Sequence, residues 1–323
     1  MSTSQVTSRM PRRIPTLRSR RMLRDAEVPI SVRITEQADI HMHRHDFTEI
    51  VVVLDGVGDH LLDEDRFPIS TGDVFVIDQN HAHGYRNARG LQIANVLFDE
   101  RFLLERERSL RHMAGYQTLV HLEPGSRKRL SFGGKLKLTT EHRIRAEERI
   151  YELRDELDHR RDGYQALSLS ILVDLIVRLC RLYRADMSES QRTLYDMGEV
   201  VGYLERHYDE RLEIRDLEEL VAMSSRTLMR RFGQATGTTP MQYLMRVRLS
   251  RAAHLLRTTR DTMTDIAARV GFSDSNYFSR QFRKVMGTSP TEYRRATTAG
   301  AAASTGTRAM PLRERLPTVP TPR

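Results

Sequence analysis

Between residues 30 and 98, apolar and polar positions alternate in short runs: "EIVVVLDG", "GDHLLDE", "GDVFVID" and "LQIANVLF", separated by Gly, Asp and Asn. Period-two patterning between turn residues at this spacing predicts an antiparallel sandwich or barrel. From about 141 to 185 the period lengthens. Ile150, Leu153 and Leu157 line one helical face, and Leu167, Ile171, Leu172, Leu175, Ile176 and Leu179 line another, with a turn expected at Gly163. This predicts a helical hairpin whose apolar face needs cover, from the barrel or from the same helix of a second chain. After the short polar linker "RADMSES", helices are expected from about 194 to 295.

Within that last region one pattern occurs twice. "IRDLEELVAMSSRTLMRRFGQATG" at 214–237 and "MTDIAARVGFSDSNYFSRQFRKVMG" at 263–287 each place an apolar helix before a tight turn. A second helix follows with Leu228 and Phe232, or Phe278 and Phe282, four residues apart, and ends at Gly237 or Gly287. Small Ala222 and Gly271 at the turns let the paired helices approach, and Ser224 or Ser225 and Ser273 suit the N-cap of the second helix. The pattern is a helix-turn-helix, duplicated. After each unit a Thr-Pro or Ser-Pro step opens a further helix, and the one starting at Pro240 is expected to run about 27 Å at 1.5 Å per residue. Such a rod can hold two recognition helices in successive major grooves, about 34 Å apart.

Opposite the apolar side of the first recognition helix lie Arg226, Thr227, Met229 and Arg230; on the second, Asp274, Ser275, Asn276, Ser279 and Arg280. Arg226 and Arg230 are neighbours on the helix surface and can reach guanine edges or phosphates, while Asn276 and Arg280 suit adenine and guanine.

Charge agrees with a polyanionic partner. The 323 residues carry a formal net charge of +9, and seven arginines precede the first acid, Asp25. One cysteine, Cys180, excludes an internal disulfide or a cysteine-based zinc cluster and fits a cytoplasmic setting. The longest apolar run, "LSLSILVDLIVRLC", is broken by Asp174 and Arg178, so no membrane span is expected, and no apolar segment follows the N-terminal arginines to form a secretory signal.

A different chemistry is written at 41–49, "HMHRHDFTE". On a strand, His41, His43, His45, Phe47 and Glu49 would share one face, an arrangement that looks like a metal site.

Residues 194–295 resemble the DNA-binding domain of the AraC/XylS family of bacterial transcription regulators, on "GTTPMQYLMRVRLSRAAHLL", "DIAARVGFSDSNYFSRQFRKVMGTSPTEYR" and their spacing. "GFSDSNYFS" is similar to the wording of rhamnose-operon regulators. The resemblance implies that Arg226, Arg230, Asn276 and Arg280 lie at DNA, and that Asp265 occupies a place where some members touch the RNA polymerase sigma subunit. Residues 30–98 resemble the small cupin barrel that precedes that domain and usually senses an effector. "HRHDFTEIVVVLDG" supplies His43, His45, Glu49 and Gly56, and "FPISTGDVFVIDQNHAHGYRN" supplies Pro68, Gly72, Asp73, His83 and Asn87.

His43, His45, Glu49 and His83 are the cupin ligand positions, so three readings stand: a metal-free pocket bonding the hydroxyls of a sugar-like effector, metal-assisted binding, and inert lining. The first is favoured, with no cofactor and well under one equivalent of metal expected, because the DNA-binding half gives such a barrel a task and no acid-base pair can be singled out. The alternative is a cupin metalloenzyme using the same four residues as ligands.

The expected architecture is α+β and multidomain: a basic flexible arm at 1–26, a cupin-like effector-binding domain at 27–140, a helical dimerisation hairpin and linker at 141–190, an all-α domain with two helix-turn-helix units at 191–296, and a disordered tail at 297–323. The expected partners are promoter DNA, a small effector, RNA polymerase and a second copy of the chain.

Overall fold

The computed structural model describes residues 14–126, 135–184 and 187–303, apart from residues 24, 26 and 80. The chain forms two compact units, one of residues 1–110 and 119–190, the other of residues 111–118 and 191–323. Among the described residues no helix is long and apolar enough to cross a membrane.

In the first unit, β1 (Thr16–Leu17) and α1 (Ser19–Met22) precede β2 (Ile30–Glu36), β3 (Ile40–His45), β4 (Thr48–Leu62), β5 (Asp65–Ser70), β6 (Asp73–Ile77) and β7 (His83–Phe98). A short β8 (Leu136–Lys137) pairs with β6. The sheet order is β1-β3-β7-β4-β6-β8, with β2 also on β7 and β5 also on β4. β4 and β7 are the long spine, antiparallel from Thr48 opposite Phe98 to Leu62 opposite His83.

Three register shifts between Val53 and Asp59 bend this pair, so that the first half of β4 joins β6 and the second half joins β5. Gly56 sits in one of these bends at φ +80°, and a Cβ there would lie 2.2 Å from the Gly90 carbonyl oxygen. Only glycine fits. The sequence pattern treats this glycine as a boundary between two strands, whereas it is the kink within one. Val51, Val53, Leu62, Phe67, Ile69, Phe75, Ile77, Tyr85, Leu91 and Ile93 fill the interior.

Where it is described, the arm lies against the sheet. β1 pairs in parallel with β3, and Leu23 packs with Phe47 and Leu97. The Ser19 amide donates to the Asp46 carboxylate. The edge strand β3 thus offers backbone partners to Thr16 and Leu17 of the expected flexible arm, and residues 1–13 lie outside the described part. Beyond the sheet, α2 (Glu100–Arg106), α3 (Ala114–Tyr116) and α4 (Glu123–Ser126) lead to the hairpin of α5 (Thr140–His159) and α6 (Tyr164–Leu182).

Gly163, at φ +82°, turns the chain between the two hairpin helices. Ile171, Leu172, Leu175, Ile176 and Leu179 are all buried within the single chain, as is the thiol of Cys180, which burial pushes up to about 12 in pKa. The hairpin face therefore already has its cover, and only Leu167, Ile144 and Tyr151 remain as exposed large apolar side chains on it.

The second unit is helical: α7 (Glu189–Arg206), α8 (Ile214–Val221), α9 (Ser225–Thr236), α10 (Pro240–Thr258), α11 (Met263–Arg269), α12 (Ser275–Met286) and α13 (Pro290–Ala303). α10 has Pro240 in its first turn and a reciprocal cap between Thr239 and Gln242, as its Thr-Pro step predicts. α13 continues to Ala303, beyond the expected limit of 296, and the remainder of the tail lies outside the described part.

Residues 111–118, read from sequence as part of the barrel domain, pack instead in this unit. They lie on Gly198 and Gly202 of α7, where a Cβ would fall 2.1 Å from Thr118 Oγ1 and 2.8 Å from the His112 carbonyl oxygen respectively. One helical turn separates these glycines, so their bare face lets the segment approach the backbone.

Ala222, the C-cap of α8, holds φ +48°, a left-handed conformation costing a residue with a Cβ about 1 kcal/mol. Ala222→Gly is expected to raise the stability of this unit by roughly that amount, less the added freedom of glycine in the unfolded chain. Thermal melting of the two proteins checks it: a lower midpoint in the variant would refute the strain.

Candidate effector pocket and nucleic-acid interface

The histidine run is not one strand. β3 ends at His45, Asp46 and Phe47 turn the chain, and Glu49 returns on β4. The single shared face expected for 41–49 is thus corrected: a turn, not alternation, brings Glu49 onto His45. His41 is exposed, His43 is half-buried, and His45, Glu49 and His83 are buried.

The buried three converge from β3, β4 and β7, with one nitrogen or oxygen of each within 4.8 Å of the others. His45 Nε2 is 3.3 Å and His83 Nε2 is 3.9 Å from Glu49 Oε2. His43 lies against the His83 ring at 4.1 Å between centroids but outside that trio. Burial holds its imidazole below the usual pKa, favouring the neutral form. Sequence reasoning missed His60, fully buried on β4 with its ring 5.7 Å from His83 and 5.4 Å from Tyr85. The available signal was the alternation that places it on the same side as Leu62.

In the helical unit the duplicated pattern gives two helix pairs, α8 with α9 and α11 with α12. Leu228 and Phe232 anchor α9, and Phe278 and Phe282 anchor α12, all fully buried. Arg226 and Arg230 are exposed, Thr227 and Met229 half-buried, and Arg230 Nη1 donates to Gln234 Oε1 at 3.3 Å. On α12, Asn276 and Arg280 are exposed and Ser275 and Ser279 half-buried. Tyr277, not among the sequence candidates, is also exposed on this helix, beside Arg280.

The caps differ from expectation in one place. Ser224 caps α9 by its backbone, but Asp274 rather than Ser273 caps α12, accepting from the amides of Asn276 at 2.7 Å and Tyr277 at 2.9 Å. These bonds hold the carboxyl of Asp274 below the usual carboxylate pKa. Its charge is thus directed at the helix N-terminus. Asp265 is likewise engaged, accepting from the Thr262 amide at 3.2 Å and hydroxyl at 2.7 Å in the cap of α11.

Comparison with known proteins covers both units. Residues 27–154 match the AraC-like ligand binding domain and residues 217–296 match a helix-turn-helix domain. The chain is 30% identical over 269 residues to the HTH-type transcriptional activator RhaR of Mannheimia succiniciproducens, covering 83% of this chain and 92% of the relative. It is 31% identical over 273 residues to the HTH-type transcriptional activator RhaS of Escherichia fergusonii, covering 84% and 92%. The solved DNA-binding domain of AdpA, in complex with a target DNA, is 34% identical over 33% of this chain and 96% of that chain, with a TM-score of 0.32. The metalloenzyme alternative finds no support among relatives that are transcription activators. On relatives matched over most of their length, and on matches to both an AraC-like ligand binding domain and a helix-turn-helix domain, the chain belongs to the AraC-type family of DNA-binding transcription regulators that carry a ligand-binding domain.

Proposed function

We propose that the chain is a promoter-binding activator, not an enzyme, that responds to a small hydroxyl-bearing effector such as a sugar. The observation that carries this reading is the convergence of His45, Glu49 and His83 inside the barrel of a chain that also carries two helix-turn-helix units, α8 with α9 and α11 with α12. In the pocket, His43, His45, Glu49 and His83 offer both donors and acceptors, which suits polyhydroxylated ligands.

At DNA, Arg226, Thr227, Met229 and Arg230 would read one groove and Ser275, Asn276, Ser279 and Arg280 the next, with Asp274 orienting the second helix through its cap. Asp265 is the proposed contact for RNA polymerase. Two copies are proposed to associate in the cytoplasm through the hairpin, where Ile144, Tyr151 and Leu167 remain exposed. An effector acts only through differential affinity for two states, so its binding must change the equilibrium between arrangements of arm, barrel and DNA-binding unit.

The test uses the full chain. Melting is followed against a panel of sugars and sugar acids, and DNA affinity is measured across salt concentrations with and without any compound that raises the melting temperature. One class of compound is expected to raise the melting temperature and change promoter affinity, and that affinity is expected to fall steeply with salt. A stabilising compound that leaves promoter affinity unchanged would refute effector control.

A further inference from the structure

We propose that a cleft between β2 and the last turn of α5 binds a phosphate group, carried by a small metabolite or free, at a place that none of His43, His45, Glu49 and His83 lines. The cleft has a volume of about 420 Å³, which falls among pockets that hold small molecules. Arg33 of β2, Arg154 of α5 and Arg160 at the end of α5 bring three guanidinium groups to it, beside the half-buried apolar side chains of Val32 and Leu157.

Pairing separates these arginines from their neighbours. Arg143, Arg145 and Arg149 on α5 each hold a carboxylate, at 3.2, 2.7 and 2.7 Å. Among the described residues Arg33 and Arg154 hold none: Arg33 Nη2 lies 3.7 Å from the Met22 sulfur, and the Arg154 guanidinium lies 4.7 Å from the centre of the Tyr151 ring. Asp158 stands four residues after Arg154, the spacing at which a helix pairs opposite charges, yet the two form no ion pair. Arg160 reaches Asp25 only at 3.6 Å.

The two acids at the cleft leave the positive charge uncancelled. The Asp25 carboxylate is engaged by the Tyr164 hydroxyl at 2.7 Å and by the amides of Glu27 and Val28 at 2.8 and 3.3 Å. Asp158 is exposed, so water and salt screen it. A guanidinium fork engages two oxygens at once, and a phosphate group, unlike a carboxylate, has oxygens enough to share among three arginines.

The backbone points the same way. Residues 30–33 alternate in direction along β2, so a cleft that meets all four runs along the edge of the strand. Among the described strands β2 pairs only with β7, which leaves on its other edge amides that can donate to an anion and carbonyls that can accept from hydroxyls. Arg160 holds φ +50° at the C-cap of α5, a left-handed position where glycine is the usual residue. Strain of this kind persists at ligand clamps, and the guanidinium is what a glycine would forfeit.

The experiment titrates the full-length protein, in phosphate-free buffer at constant ionic strength, with inorganic phosphate, glycerol phosphate and glycerol, followed by calorimetry and thermal melting. The expected result is saturation by glycerol phosphate at about one equivalent per chain, a rise in melting temperature, and no effect of glycerol at the same concentration. Arg154→Gln and Arg160→Gln are each expected to weaken binding roughly tenfold or more, as for the loss of a charge-assisted pair. Arg145→Gln, whose native partner is Glu141, is expected to leave it unchanged. Arg160→Gly, which suits the left-handed backbone, takes the place of Arg160→Gln if that variant fails to fold.

Tighter binding of the ester than of inorganic phosphate supports a phosphorylated metabolite as the ligand; equal affinity, lost in the same variants, supports free phosphate. Uptake that does not saturate overturns the site, as does affinity unaltered in both cleft variants, because phosphate then meets only the general basic surface. Equal weakening by Arg145→Gln overturns it for the same reason.

Discussion

Arg226→Ala and Arg230→Ala are each expected to weaken binding to the cognate promoter site by about 1–3 kcal/mol, as for the loss of a bidentate contact to guanine. Both side chains are exposed on α9, one helical turn apart, while Leu228 and Phe232 fix the opposite face in the core. The substitutions should therefore leave the fold intact, since neither guanidinium supports packing. Gel-shift titration on cognate and random duplexes separates the possibilities. Loss confined to the cognate site supports base reading; equal loss on both assigns that arginine to phosphates; loss on neither refutes α9 as a recognition helix.

His45→Ala or His83→Ala is expected to abolish the effector response while leaving basal DNA binding unchanged. A ligand that meets a pocket stripped of one partner leaves its own polar group buried and unpaired, which costs about 1–3 kcal/mol for each group. Truncating an imidazole should add little disturbance outside the barrel, because the DNA-reading helices draw their stability from a separate core around Leu249, Ile266, Phe278 and Phe282. Promoter titration of each variant with and without the stabilising compound checks this. A full response in both variants would reduce the cluster to barrel lining.

The DNA-reading half was legible because its signals are local. The Thr-Pro and Ser-Pro steps, the glycines at helix ends and the i, i+4 aromatics each specify a turn or a face within a few residues, and α8 through α12 follow them. The barrel was legible in class but not in connection. Gly56 resembles punctuation in sequence and becomes a kink only because β4 and β7 close on each other there. Asp46 and Phe47 interrupt an alternation that continues on paper.

What sequence could not supply were the pairings between distant segments. The two residues of β1 have no period to read, and the seating of 111–118 depends on two glycines some 80 positions away. The period of the hairpin face shows that it needs cover, but nothing in that period reveals whether its own chain or a second one supplies it. Asp274 displaced Ser273 as cap because the helix starts one residue later than its serine implied.

The buried sulfur of α6 gives the molecule a practical property. Cys180 is the chain's single cysteine, only 2% exposed and kept protonated, so alkylating and maleimide reagents find no nucleophile on the folded surface. A cysteine introduced on the exposed side of α9 or α12 would carry a fluorophore or spin label without background, and the native residue need not be removed first. The movement of each reading head on its operator can then be followed in solution, one probe at a time, in the otherwise unaltered protein.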